Sequence, residues 1–321
     1  MNLLCVIATL AATGMGLATL TLWATIDSTL HRVRGFQPSV RVWWLLGMMS
    51  FPSAVALLLA LVGFGPCLRT LLIGFPDDCQ SHGGPDFFFC LRRSMQAVPA
   101  AWLIAGAFAT FVARRLVEGM RALLQTRRVL HQLRRLGRYD QDCNVWCVPG
   151  KLAVVAGWPR SDVYVGVSLR RSLSPESFGA LLAHERAHQR RMDLSIKLAA
   201  QVLSSCLPST IRRVLLNELD LAMEQACDAV AAEEVKDPLA VVRSLLDAAG
   251  GTEPGILAVA FSATDDHLEA RVRALCEPSW APSLLSAAAV AAIGASVVVG
   301  CIIFDANLHD VTEAFFERLL G

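Results

Sequence analysis

Leu181-Leu182-Ala183-His184-Glu185-Arg186-Ala187-His188 is an HExxH box, and every later reading of the chain depends on it. On a helix each residue advances by about 100°, so His184 and His188 stand one above the other on one face, with Glu185 on the same flank. Two imidazoles at that spacing can share one zinc ion, and a carboxylate beside them can take a proton from water at the metal. Ser174-Pro175-Glu176 reads as the start of that helix. Ser174 caps it, Pro175 is its first helical residue, and Glu176 favours the positive helix end. Phe178, Leu181 and Leu182 supply an apolar stripe. A surface helix that happens to carry two histidines would show the same letters, so the box needs a third ligand.

One stands downstream. Residues 211–235 have strong helical periodicity, with Val214, Leu215, Leu219, Ala222, Met223, Ala226 and Val230 on the apolar side. Within them, Glu224 and Asp228 are four apart and share a face. Two histidines and a glutamate leave a fourth zinc position open, which is the arrangement of catalytic sites. A carboxylate one turn on can accept the free ring N–H of a ligand histidine and fix its tautomer. Glu224 is therefore the expected third ligand of one zinc ion per chain, with Asp228 behind a histidine; Glu218 and Asp220 are the alternatives on the same helix.

His-Glu-Arg-Ala-His, then Arg191-Met192-Asp193, then Glu-x-x-x-Asp resembles the BlaR/MecR-type membrane zinc peptidases, relatives of the CAAX-processing and HtpX-type proteases. Ser-Pro-Glu before the box and Leu268-Glu269-Ala270-Arg271-Val272 after it are similar to that wider group. The resemblance implies a zincin-like α+β domain in which Glu185 is the general base. It further implies that the strand before the HExxH helix is an edge that binds extended substrate by strand addition, which assigns Val163, Tyr164, Val165, Gly166 and Val167 to substrate. Related peptidases keep a His or Tyr after the third ligand to steady the oxyanion, and His267 is the nearest candidate, in a shifted register. The antibiotic-sensing members carry a large outer domain after their last span, where this sequence has only residues 305–321.

The chain has 321 residues, 54% of them hydrophobic, too apolar for a typical soluble protein. A net charge of +1 argues against direct nucleic-acid binding. Four uncharged stretches are long enough to span a bilayer: Met1 to Ile26, Val42 to Leu68, Ser94 to Ala113 and Pro278 to Phe304. Trp43, Trp44, Trp102 and Trp280 sit near span ends, where amphipathic rings favour the interface. Arg32, Arg34 and Arg41 follow the first span, and Arg114, Arg115, Arg121, Arg127, Arg128, Arg134, Arg135 and Arg138 follow the third. By the positive-inside rule the domain between spans three and four lies in the cytoplasm, and the N-terminus and the acidic tail lie outside.

The expected fold is thus a polytopic α-helical membrane protein of a bacterial plasma membrane, with four transmembrane helices and a cytoplasmic zincin-like domain. Its parts are residues 1–117 with an outer loop at 66–95, the peptidase domain at 118–277, the last span at 278–304 and the tail at 305–321. Residues 27–41 read as a short basic loop, and 114–138 as a basic amphipathic helix. Runs at Asn144–Val148, Leu152–Ala156 and Val163–Leu169 read as strands between turns at Pro149-Gly150 and Trp158-Pro159. Cys67, Cys79 and Cys90 fall in or beside the outer loop, where one pair could be bridged; Cys143, Cys147, Cys206, Cys227 and Cys276 fall on the reducing side.

The function expected is cleavage of a cytoplasmic protein in a signalling pathway. By resemblance the substrate is a BlaI-like repressor or the enzyme itself. The bilayer is a partner, and a second copy of the chain, as a homodimer, is allowed. An HtpX-like quality-control protease and a zinc-containing signalling scaffold without activity are the alternatives. A closed structural zinc site, though, has no use for Glu185.

Overall fold

The computed structural model describes residues 3–73, scattered positions of 110–129, residues 130–157, 161–249 and 265–277. The described positions of 110–136 are helical. Two long helices come first, α1 (Leu3–Val33) and α2 (Pro38–Ile73). Strands β1 (Arg138–Asp140), β2 (Val145–Val148), β3 (Ala153–Ala156) and β4 (Asp162–Gly166) follow. The helices after them are α3 (Val167–Ser172), α4 (Pro175–Arg191), α5 (Asp193–Leu203), α6 (Ser209–Val235), α7 (Pro238–Ala249) and α8 (Asp265–Cys276).

α1 and α2 form an antiparallel hairpin in which Ala18, Leu22, Ile26, Leu30 and Val33 are buried, the spacing of one helix face. Its closed end is built into the domain. Val42, Leu45, Leu46, Met48 and Met49 of α2 share one core with Leu207 and with Ile211, Leu215, Leu219, Ala222 and Met223 of α6. Arg41, 3% exposed, donates to Gln225 Oε1 on α6 at 2.7 Å. The expected basic loop at 27–41 is accordingly a short turn between two helices. Arg34 bonds Glu218 on α6, and Arg41 lies 3.6 Å from the same carboxylate.

The expectation of four membrane-crossing helices is not met. Among the described residues one helix, over Pro38–Ala60, is long and apolar enough to cross a membrane. Over residues 11–33 of α1 the threonines at 13, 19, 21, 25 and 29, with Asp27, dilute the apolar character. Thr19, Thr21 and Thr25 turn their hydroxyls onto carbonyls one turn back, of Met15, Leu17 and Thr21. The third and fourth expected spans fall, but for residues 110 and 113, outside the described residues, as do the outer loop beyond Ile73 and the tail.

The sheet has the order β1-β2-β4-β3. β2 pairs with β4 in parallel, and β1 with β2 and β3 with β4 are antiparallel. Val163 and Val165 of β4 pack with Val145, Leu182 and Phe178 on the α4 side. Tyr164 packs on the opposite face with Leu133 and Val148. The expected strand over 163–169 ends early, at Gly166. A Cβ at Gly166 would stand 2.3 Å from the carbonyl oxygen of Gly150, so only glycine lets the two segments approach that closely.

Candidate metal centre

The HExxH box occupies the second half of α4. Ser174 Oγ accepts from the N–H of Ser177 at 3.1 Å, and Pro175 is the first helical residue. Ala180 and Ala183 pack against Ala231 of α6 and Ala240 and Val241 of α7. Small side chains at these contacts allow a close interaxial distance, which brings the box against α6. Glu224 and Asp228 then face the two histidines.

His184 Nε2 and His188 Nε2 are 3.0 Å apart. Glu224 Oε2 lies 3.4 Å from the first and Oε1 3.6 Å from the second. The corners of a tetrahedron with bonds of about 2.0–2.1 Å are separated by about 3.3 Å, so the three groups stand close to where three ligands of one zinc belong. The other ring nitrogens are both engaged with carboxylates. His184 Nδ1 lies 2.9 Å from Asp228 Oδ1, and His188 Nδ1 2.7 Å from Asp193 Oδ2. Asp193 hydrogen-bonds the His188 ring at Nδ1, and Asp228 stands against His184 Nδ1 as a close charged neighbour without hydrogen-bond geometry.

The charges are as pointed as the distances. Burial disfavours the charged form of Glu224, but both histidines overcome it and hold the carboxyl well below its ordinary range. Burial likewise works against a charged His184, yet Asp228 and Glu224 prevail and push its pKa up to about 10. The pocket therefore calls for positive charge between the rings and Glu224, which a proton or a metal ion can supply. Glu185 is buried beside them, and loss of hydration raises its carboxyl above the ordinary range.

Arg271 of α8 completes the centre. Its Nε and one terminal nitrogen grip Asp228 at 2.7 and 2.8 Å, and its other terminal nitrogen lies 3.2 Å from Glu224 Oε2. Nothing in the sequence sets Arg271 apart from Arg273 two residues on, save that it stands between Ala270 and Val272 on an amphipathic helix. His267 sits one turn earlier on α8, half-buried, but it is Arg271 that the structure brings into contact with the centre. The alternative third ligands are engaged elsewhere, Glu218 with Arg34 and Arg41 and Asp220 with Lys197 at 3.1 Å.

The substrate strand needs correction. β4 carries hydrogen-bonded neighbours on both sides, and Val167 has already turned into α3, so residues 163–167 present no edge. Among the described strands the free edges belong to β1 and β3, and of these β3 packs against the HExxH helix. Comparison with protein-family models, with curated proteins and with solved structures finds no match to this chain.

Proposed function

We propose that the chain is a membrane-attached zinc endopeptidase of the BlaR/MecR-like kind, with His184, His188 and Glu224 as ligands. One observation carries the reading: two imidazole Nε2 atoms and a carboxylate converge at tetrahedral corner distances, while a carboxylate stands behind each Nδ1 atom. A zinc ion held there supplies Lewis acidity, polarising a substrate carbonyl and bringing the pKa of water to about 7. Glu185 would take the proton from the attacking water and hand it to the leaving amine, a role for which its buried place beside both histidines suits it. Asp228 stands behind His184, and Arg271 neutralises the surplus of carboxylates around it. The edge of β3, Ala153–Ala156, unpaired among the described strands, takes the extended substrate in place of β4.

The membrane attachment is α2. It is about 54 Å long for its 36 residues, well beyond the ~30 Å of a bilayer core, so a stalk and a span fit on one helix. Its first turns are the stalk, docked on α6. The arginines of 114–138 favour a cytoplasmic domain and therefore a cytoplasmic protein substrate, of which a repressor is the one the resemblance points to.

The test is Glu185→Ala in the full-length protein. Zinc content should stay at wild type while cleavage falls by about 100-fold or more. Mapping new protein N-termini in cells with wild type against this variant would name the substrate. Equal cleavage by both proteins would end the proposal.

A further inference from the structure

His188 belongs to two groups of potential ligands at once. Through Nε2 it faces His184 and Glu224; through Nδ1 it faces Asp193 and Cys227, and all three members of this second group are buried. The two groups differ in their distances. His188 Nδ1 to Asp193 Oδ2 is 2.7 Å, Cys227 Sγ to the same oxygen 3.2 Å, and Cys227 Sγ to His188 Nδ1 3.3 Å. Corners around a zinc with nitrogen, oxygen and sulfur ligands would be about 3.3–3.6 Å apart. The nitrogen–oxygen distance is too short for that and right for a hydrogen bond. Asp193 Oδ2 accepts from the imidazole N–H and from the thiol.

The backbone puts Asp193 there. α4 ends at Arg191, and Met192 adopts the left-handed conformation, φ 57 and ψ 38, which an exposed non-glycine residue takes at some cost. That sharp corner swings the first residue of α5 back under the box. An aspartate opening a helix would ordinarily serve the helix, accepting from its free N–H groups. Here α5 has no side-chain cap. The second carboxylate oxygen lies 3.3 Å from Arg191 Nε, which helps to neutralise a group that is 2% exposed.

We propose that Asp193 is a positioning residue for His188, braced by the Cys227 thiol, and that the His188–Asp193–Cys227 group is not a second metal site. The inference rests on the zinc reading above. Each histidine then has a carboxylate behind it, Asp193 hydrogen-bonded to His188 and Asp228 2.9 Å from His184 Nδ1, with Nε2 on the side of the metal site. Asp193 touches neither substrate nor metal; it acts by fixing the tautomer and the plane of the ring and by raising its basicity.

Zinc affinity of the full-length protein, measured by competition with a chelator, separates this from a purely structural role. Asp193→Ala should weaken zinc binding 10- to 100-fold, the usual effect of removing a partner behind a ligand. Asp193→Asn keeps the size and one acceptor oxygen, protects against simple misfolding and should weaken it by less. Cys227→Ala should leave one zinc per chain with an affinity within about threefold of wild type, since the ring's bond to Asp193 survives. Thermal unfolding of each metal-free variant reports the structural contribution separately. Wild-type affinity in Asp193→Ala and Asp193→Asn, with or without loss of stability, would overturn the role. Two zinc ions per wild-type chain and one in Cys227→Ala would overturn the denial of a second site. A wild-type protein that binds no zinc would instead sink the reading on which this one stands.

Discussion

The two halves of α6 are built on opposite principles. From Ile211 to Met223 its buried face is apolar and interlocks with α2, with Glu218 at its margin paired to Arg34 and Arg41. From Glu224 to Ala231 its buried face carries Glu224, Gln225, Cys227 and Asp228, each tied to a partner on another helix. Apolar packing is indifferent to small rotations, while a centre of fixed distances is not. The first half therefore sets the position of the helix, and the second, with its bonds already arranged, sets the chemistry. Gln225 joins the two, accepting from Arg41 of α2 and donating to the carbonyl of Ala270 beside Arg271 at 3.0 Å.

Breaking the polar half should cost most. Asp228→Ala leaves Glu224 alone to answer the buried Arg271 and His184, and should destabilise the metal-free protein by about 3–5 kcal/mol in chemical denaturation. The apolar half gives a comparable but more variable loss. Leu215→Ala opens a cavity at a fully buried position and should cost about 2–5 kcal/mol, with zinc affinity changed far less than in Asp228→Ala. If Leu215→Ala proved the more damaging to zinc binding, the division of labour along the helix would be wrong.

The dependence on pH sharpens the contrast. Burial works against a charged Asp228, but Arg271 and His184 prevail and hold its carboxyl below the ordinary range. With a depressed native pKa, the unfolded chain takes up the proton first as pH falls. The stabilisation from this group is thus complete above about pH 4 to 5, near the ordinary aspartate value, and is lost as pH drops through the lower native one. Asp228→Asn should flatten that acid limb of the metal-free melting curve, whereas Leu215→Ala should shift the whole curve down without changing its shape. Smallest of all should be the exposed pair Arg190–Glu234, which joins α4 and α6 at 2.5 Å outside the centre. Glu234→Ala should move stability by less than about 1 kcal/mol.

What could be read from the sequence was what is local. His184, His188, Glu224 and Asp228 each declare their face through a spacing of four, and Ser174-Pro175 declares where the box helix begins. Asp193 and Arg271 could not be assigned roles in that way. One is brought under His188 by a left-handed corner at Met192, the other reaches Asp228 from a helix 43 residues further on. The error at β4 has the same origin, because alternation marks Val163–Gly166 as a strand without saying that β2 and β3 lie on either side of it. The first expected span was misjudged because an apolar helix looks alike whether lipid or protein covers it: Leu22, Ile26 and Leu30 of α1 lie in one core with α2 and α6. Arg34 and Arg41, counted as topology signals, also answer Glu218.

The most direct test of the account is the zinc content of the purified full-length protein by elemental mass spectrometry, wild type against Glu224→Ala. The account predicts one zinc per wild-type chain and none retained through chelator washing in Glu224→Ala, because two histidines alone hold zinc weakly. A Glu224→Ala protein that keeps one zinc per chain would contradict it, since the third ligand would then lie elsewhere.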